Sequence, residues 1–122
     1  INDVAKALAA NNINMQAFSM AETTDFGILR LIVSDVDKAV EVLRNANFAV
    51  ILTDVVCISC PNVPGALSKI LESLAKKDIF IEYMYAFSEG KTANTVIRPN
   101  DLNRCIEVLR ADHCNIISNS DF

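Results

Sequence analysis

Residues 55–87, VVCISCPNVPGALSKILESLAKKDIFIEYMYAF, read as strand, loop, helix and strand, and their reading decides the fold. Val55–Ser59 is an apolar run rich in β-branched residues, which suits a strand. Pro61-Asn62-Val63-Pro64-Gly65 is dense turn punctuation that continues neither neighbour. From there the apolar residues fall at Leu67, Ile70, Leu71 and Leu74, the spacing of a helix that buries one face. Lys76-Lys77-Asp78 ends that helix with cations in its last turn. Ile79–Phe87 resumes a β-branched and aromatic strand.

Working outward toward the N-terminus, Thr53-Asp54 leads in from a strand at Phe48–Leu52. Before it, Val36, Ala39, Val40 and Leu43 form a helix face, with Ser34 as its predicted N-cap, Asp37 closing a capping box and Asn45–Asn47 ending it. Phe26–Val33 and Ile13–Glu22 are strands joined by Thr23-Thr24-Asp25, a turn short enough to imply an antiparallel hairpin. Ile1, Val4, Ala5 and Leu8 carry helical spacing, and Asn11-Asn12, which tolerate the left-handed region, stop that helix. Toward the C-terminus, Ser88-Glu89-Gly90 is a turn, and Lys91–Ile97 pairs back as a strand stopped by Pro99. Asn100 or Asp101 caps a last helix with Leu102, Cys105, Ile106 and Leu109 on one face, and Cys114–Ile117 closes the chain's pattern as a strand.

From Val55 the order is β-α-β-β-α-β, and from Ile1 to Leu52 it is α-β-β-α-β. Sliding the chain by 66 residues places Leu8 on Leu74, Ile13 on Ile79, and Glu41-Val42-Leu43-Arg44 on the identical Glu107-Val108-Leu109-Arg110. The sequence therefore predicts an α+β protein of two βαββαβ repeats, residues 1–53 and 54–122. Ile1 aligns with Leu67, so the first copy lacks its first strand and Pro-Gly loop, about 12 residues expected upstream. Each repeat is expected to form four antiparallel strands in the order 4-1-3-2, with two helices on one face. Edge-to-edge pairing of the copies in one continuous sheet would cover two exposed edges.

Composition narrows the function classes. The chain has 122 residues, 52% of them apolar, which supports a real core and excludes wholesale disorder. Its longest apolar runs fall short of the ~18 residues of a membrane span, and no secretory pattern is visible. A net charge of −4 without a basic stripe argues against nucleic-acid binding. Cys57, Cys60, Cys105 and Cys114 sit among hydrophobic residues, which reads as reduced thiols in a cytoplasmic protein.

Asn62-Val63-Pro64-Gly65-Ala66-Leu67, between first strand and first helix of a βαββαβ repeat, resembles the N-x-P-G-x-L signature of ACT domains. Asn12-Ile13-Asn14-Met15 resembles the family's G-I-N-I lead into the second strand, and Asp78-Ile79-Phe80-Ile81 does so less closely. Over nearly its whole length the chain is similar to small stand-alone tandem ACT proteins of bacteria. The resemblance implies a ferredoxin-like fold and a non-enzymatic, cofactor-free sensor that binds a free amino acid where two ACT units meet. It also implies a homodimer or a regulated protein partner. The physics suits a carboxylate: a helix N-terminus offers unpaired N–H groups and a positive dipole end. Gly65 allows close backbone approach, Pro64 fixes φ early, and the Asn62 amide both donates and accepts. By resemblance the ligand is held by the loop of one unit, here Asn62, Val63, Pro64, Gly65, Ala66 and Leu67, and by an Asn early in the second strand of the other. That position is Asn14 in the first repeat and Phe80 in the second, so one good site is expected, with Met15 and Gln16 as neighbours. The plainer reading of the loop is only a turn and helix start.

Other chemistries are weaker. Cys57-Ile58-Ser59-Cys60 suggests a metal-binding module, yet residues three apart on a strand face opposite sides. His113 and Cys114, on a strand predicted to lie beside the first, would be needed to complete a Cys₃His zinc site. Redox use of C-x-x-C wants a helix N-terminus at the first cysteine, which the pattern lacks. Ser59 and Ser68 have no base nearby, Glu82 reads as an exposed strand residue, and Phe80, Tyr83, Tyr85 and Phe87 read as packing rather than an RNA-stacking sheet. A structural adaptor without ligand is the remaining alternative.

Overall fold

Val56, Ile58 and Cys60 alternate with Cys57 and Ser59 along β3 (Val56–Pro61); all but the half-buried Ser59 of these five are buried, and the strand lies inside its sheet. It pairs antiparallel with β5 (Thr92–Pro99) on one side and β6 (Asn115–Ile117) on the other, and β4 (Ile81–Glu89) pairs antiparallel with β5. The order β4-β5-β3-β6 is the 4-1-3-2 arrangement the sequence predicts. Helices α3 (Ala66–Lys76) and α4 (Leu102–Ala111) cover one face. There Ile70, Leu74, Cys105 and Leu109 pack with Val56, Ile58, Cys60, Ile79 and Ile97. The structure, a computed structural model, describes residues 1–22, 27–89 and 91–117. Predicted turn residues 23–25 and 90, and Phe26 at the start of the predicted second strand, lie outside the described residues. No helix among them is long and apolar enough to cross a membrane.

The chain divides into two units, Ile1–Leu52 and Thr53–Phe122. The first holds α1 (Asn2–Ala10), the antiparallel hairpin β1 (Met15–Glu22) and β2 (Gly27–Val33), and α2 (Val36–Asn45). Its core is Leu8, Ile13, Ala39 and Leu43, each 66 residues from a core member of the second unit: Leu74, Ile79, Cys105 and Leu109.

The helix ends repeat in detail. Each is a Schellman motif closed by a residue other than glycine at positive φ: Asn12 (56°), Asn47 (68°), Asp78 (57°) and His113 (60°). The following N–H returns to the carbonyl five positions back: Ile13 to Leu8, Phe48 to Leu43, Ile79 to Leu74 and Cys114 to Leu109. Carbonyls that would otherwise be orphaned are thereby satisfied, and an apolar residue is turned straight into the core.

Three expectations need correction. Phe48–Leu52 is not a strand. Its counterpart β6 pairs with β3 alone, and residues 1–52 contain no counterpart of β3. Phe48 and Val50 still pack on the core, while Ile51 is 88% exposed. The cap of α2 is Asp35, whose Oδ1 accepts from Lys38 N at 3.1 Å, as Asp101 does from Arg104 N at the start of α4. Ser34, the predicted cap, is engaged elsewhere: its Oγ accepts from Asn14 N at 3.0 Å. The predicted turn at 88–90 begins later, since Ser88 and Glu89 extend β4 opposite Ala93 and Thr92. Strand pairing within each unit gives the sheets β1-β2 and β4-β5-β3-β6.

Candidate functional site

The loop Asn62–Gly65 joins β3 to α3. It is tied down by its backbone: Asn62 N donates to Lys91 O at 2.9 Å, and Val63 N donates to Pro61 O at 2.9 Å. The side chains of Asn62, Val63 and Pro64 are left exposed. Gly65 is the N-cap of α3, with φ 88° and ψ −14°. That left-handed conformation is why the position takes glycine. A Cβ placed there would meet nothing within 4 Å, so the space above the helix start is open.

The start of α3 differs from those of α2 and α4. No side chain caps it, whereas Asp35 and Asp101 cap the other two; like α4, it has no acidic residue in its first turn. Ala66 N reaches Val63 O at 3.3 Å, and Lys69 N makes the first helical bond to Gly65 O at 3.2 Å. Between them the N–H groups of Leu67 and Ser68 have no acceptor among the described residues. Two unpaired donors at the positive end of an 11-residue helix attract an anion.

In the first unit Asn14 precedes β1. A reciprocal pair of bonds holds its backbone: Asn14 N to Ser34 Oγ, and Ser34 N to Asn14 O, both at 3.0 Å. The second unit repeats this with Phe80 N to Asn100 Oδ1 and Asn100 N to Phe80 O, both at 2.9 Å. The same fixed backbone thus presents an exposed carboxamide in one repeat and an exposed phenyl ring in the other.

The remaining candidates divide. Met15 packs against the first core and Ala66 is half-buried, so both face the fold more than solvent. Leu67 is 36% exposed. Gln16 sits where the β1–β2 register shifts between Met15 and Ala17, the position of a β-bulge. Its Oε1 is buried without a hydrogen-bond partner among the described residues. Its counterpart Glu82 occupies the matching shift in β4–β5 and pairs with Arg98 at 3.5 Å. Arg98 corresponds to Ile32, so the first repeat keeps the bulge and loses the cation. The sequence alignment at 66 residues contains this substitution, but periodicity alone does not mark the bulge. The loop candidates belong to the second unit, and Asn14, Met15 and Gln16 to the first.

Cys57 and Cys60 do not converge. Cys60 joins the helix-side core and Cys57 faces the other way, with its thiol pushed up to about 11 by burial. His113 is not on a strand; it closes the turn after α4, exposed. No cluster of three or more His, Cys, Asp or Glu able to hold a metal occurs among the described residues.

Comparison with known proteins agrees with this architecture. The chain is similar to protein BT0572 from Bacteroides thetaiotaomicron, at 52% identity and a TM-score of 0.95, covering 98% of this chain and 83% of that one. It shares its fold with the aspartokinase alpha and beta subunits (20% identity, TM-score 0.61, 90% of this chain and 80% of that one). The regulatory subunit of aspartate kinase from Thermus flavus shares it too (20%, TM-score 0.62, 92% and 80%). No curated protein matches. A family model, the ACT domain pair, matches residues 1–122. The chain belongs to the ACT domain pair family, whose domains are regulatory and non-catalytic.

Proposed function

We propose that this chain is a cytoplasmic, non-enzymatic sensor that binds a free amino acid and reports its level. The observation that carries the reading is the start of α3: an uncapped helix with two unpaired N–H groups, open space over Gly65 and no acid in the first turn. The ligand's carboxylate sits on the amides of Leu67 and Ser68. The Asn62 carboxamide, exposed beside them, and the Asn14 carboxamide of the first repeat address its other polar groups. Gln16 Oε1, short of a donor, offers an acceptor for an ammonium. The ligand bridges two ACT repeats, of one chain or of two copies. It favours one arrangement over another only by its difference in affinity for the two. The output passes to a second copy in a homodimer or to a regulated protein partner.

A thermal-shift screen of the twenty amino acids, with and without chelator, on wild type and Asn62→Ala, tests this. A ligand at 100 times its Kd adds roughly 2.7 kcal/mol of stability. One or a few amino acids should raise the melting temperature of the wild type and fail on Asn62→Ala. A shift on chelation alone would favour the metal reading, and silence throughout would leave a ligand-free adaptor.

A further inference from the structure

The cysteine spacing that stands out in the sequence, Cys57 to Cys60, is not the pair the fold assembles. The β3–β6 ladder matches Cys57 with Ile117, Ile58 with Ile116 and Ser59 with Asn115. One more step in that register sets Cys60 opposite Cys114. Both lie on the helix side of the sheet: Cys60 belongs to the core of the second unit, and Cys114 packs against that core. The backbone of Cys114 is fixed by its N–H bond to Leu109 O at 3.0 Å, which delivers it from α4 directly onto the sheet. Residues directly opposite on antiparallel strands have the Cα and Cβ separations a disulfide spans. Both cysteines are free thiols.

The two differ in access. Cys60 is 6% exposed. Cys114 is half-buried and lines a shallow surface cavity with Lys69, Ile70, Ser73 and Asp112. An outer thiol next to a buried one is the arrangement of an attacking and a resolving cysteine. Burial chiefly, then Asp112 and Cys60, push the Cys114 thiol up, so attack quickens as pH rises above neutral. Cys60 Sγ now donates to Ala93 O at 3.6 Å, on the β5 side. Rotation about χ1 turns it toward β6 at the cost of that weak bond.

We propose that Cys60 and Cys114 are a redox modification site, closing to a reversible cross-strand disulfide through exchange with a low-molecular-weight disulfide of the glutathione class. The Cys114 thiolate attacks one sulfur of the oxidant. The oxidant's S–S bond breaks, and one thiol leaves with the proton Cys114 gave up. The Cys60 thiolate then attacks the Cys114 sulfur, the mixed disulfide breaks, and the second small thiol leaves with the Cys60 proton. Two protein thiols and one small disulfide become one protein disulfide and two small thiols. The bond ties the base of the Asn62–Gly65 loop, two residues past Cys60, to the start of β6. The exchange is independent of amino-acid binding, so either proposal can fail alone.

The test incubates the full chain with oxidised glutathione at mildly alkaline pH, then blocks thiols and maps peptides. The expected product is monomeric, two hydrogens lighter, with Cys60 and Cys114 in one linked peptide and the mass restored by dithiothreitol. Cys60→Ala should accumulate a glutathione adduct on Cys114, whereas Cys114→Ala should leave Cys60 unmodified. Cys57→Ala should oxidise as wild type does. A disulfide through Cys57 or Cys105, a linkage between chains only, or an unoxidised wild type would overturn the proposal. The wild-type peptide map decides it even if a variant fails to fold.

Discussion

Replacing Gly65 with alanine separates backbone conformation from packing at the candidate site. Gly65 has φ 88°, and an added Cβ would meet nothing within 4 Å. No clash is introduced, so the cost is the left-handed conformation itself, about 1–2 kcal/mol for a residue with a side chain. Alanine also narrows the unfolded ensemble, which returns about 0.4–1 kcal/mol. The net loss is about 1 kcal/mol, or roughly 4–8 °C in Tm for a domain of this size. Urea denaturation followed by tyrosine emission reads the right unit: the chain has two tyrosines and no tryptophan, and Tyr83 and Tyr85 are both on β4. Gly65→Asn should recover part of the loss, because asparagine tolerates the left-handed region. A neutral or stabilising Gly65→Ala would refute the assigned backbone conformation. Equal losses for Ala and Asn would show that φ is not the cause.

Three further outcomes follow from particular contacts. Asp101→Ala leaves Arg104 N without its cap and should cost about 1 kcal/mol in urea denaturation, with Asp101→Asn retaining most of it. His113→Gly relieves a left-handed histidine (φ 60°) and should stabilise by about 0.5–1 kcal/mol after glycine's larger unfolded freedom is subtracted, seen as a higher urea midpoint. Burial raises the Cys57 thiol from its ordinary 9.0 to about 11, so the folded state holds this proton more tightly than the unfolded chain. Its contribution is complete below pH 9 and is lost as pH rises toward 11; stability measured across that window should fall less steeply in Cys57→Ala.

Local signals in this sequence are strong where a residue's role is settled by its own turn of chain. Asn12, Asn47 and Asp78 stop helices as their types suggest, and Ile70 and Leu74 bury the face their spacing defines. The 66-residue repeat was legible from side chains, and the structure extends it to backbone hydrogen bonds. What is not legible depends on partners distant in the chain. Phe48–Leu52 has strand composition, but a strand forms only against a neighbour. Ser34 and Asp35 are equally good caps by type; the bond from Asn14 N, 20 residues away, takes Ser34 and leaves the cap to Asp35. The loop candidates are visible as a motif, whereas the absence of a cap on α3 and the orphaned Gln16 oxygen depend on how the chain folds around them. Cys60 and Cys114 are 54 positions apart, and only the β3–β6 register makes them neighbours.

The central claim is that a carboxylate from a free amino acid settles on the first turn of α3. Amide chemical shifts of the ¹⁵N-labelled chain, recorded against each of the twenty amino acids, test it most directly. The account predicts that at least one of them moves the Gly65, Ala66, Leu67 and Ser68 resonances saturably, and that Asn62→Ala weakens or abolishes the movement. Saturable shifts confined to residues away from this turn, or none with any amino acid, would contradict it.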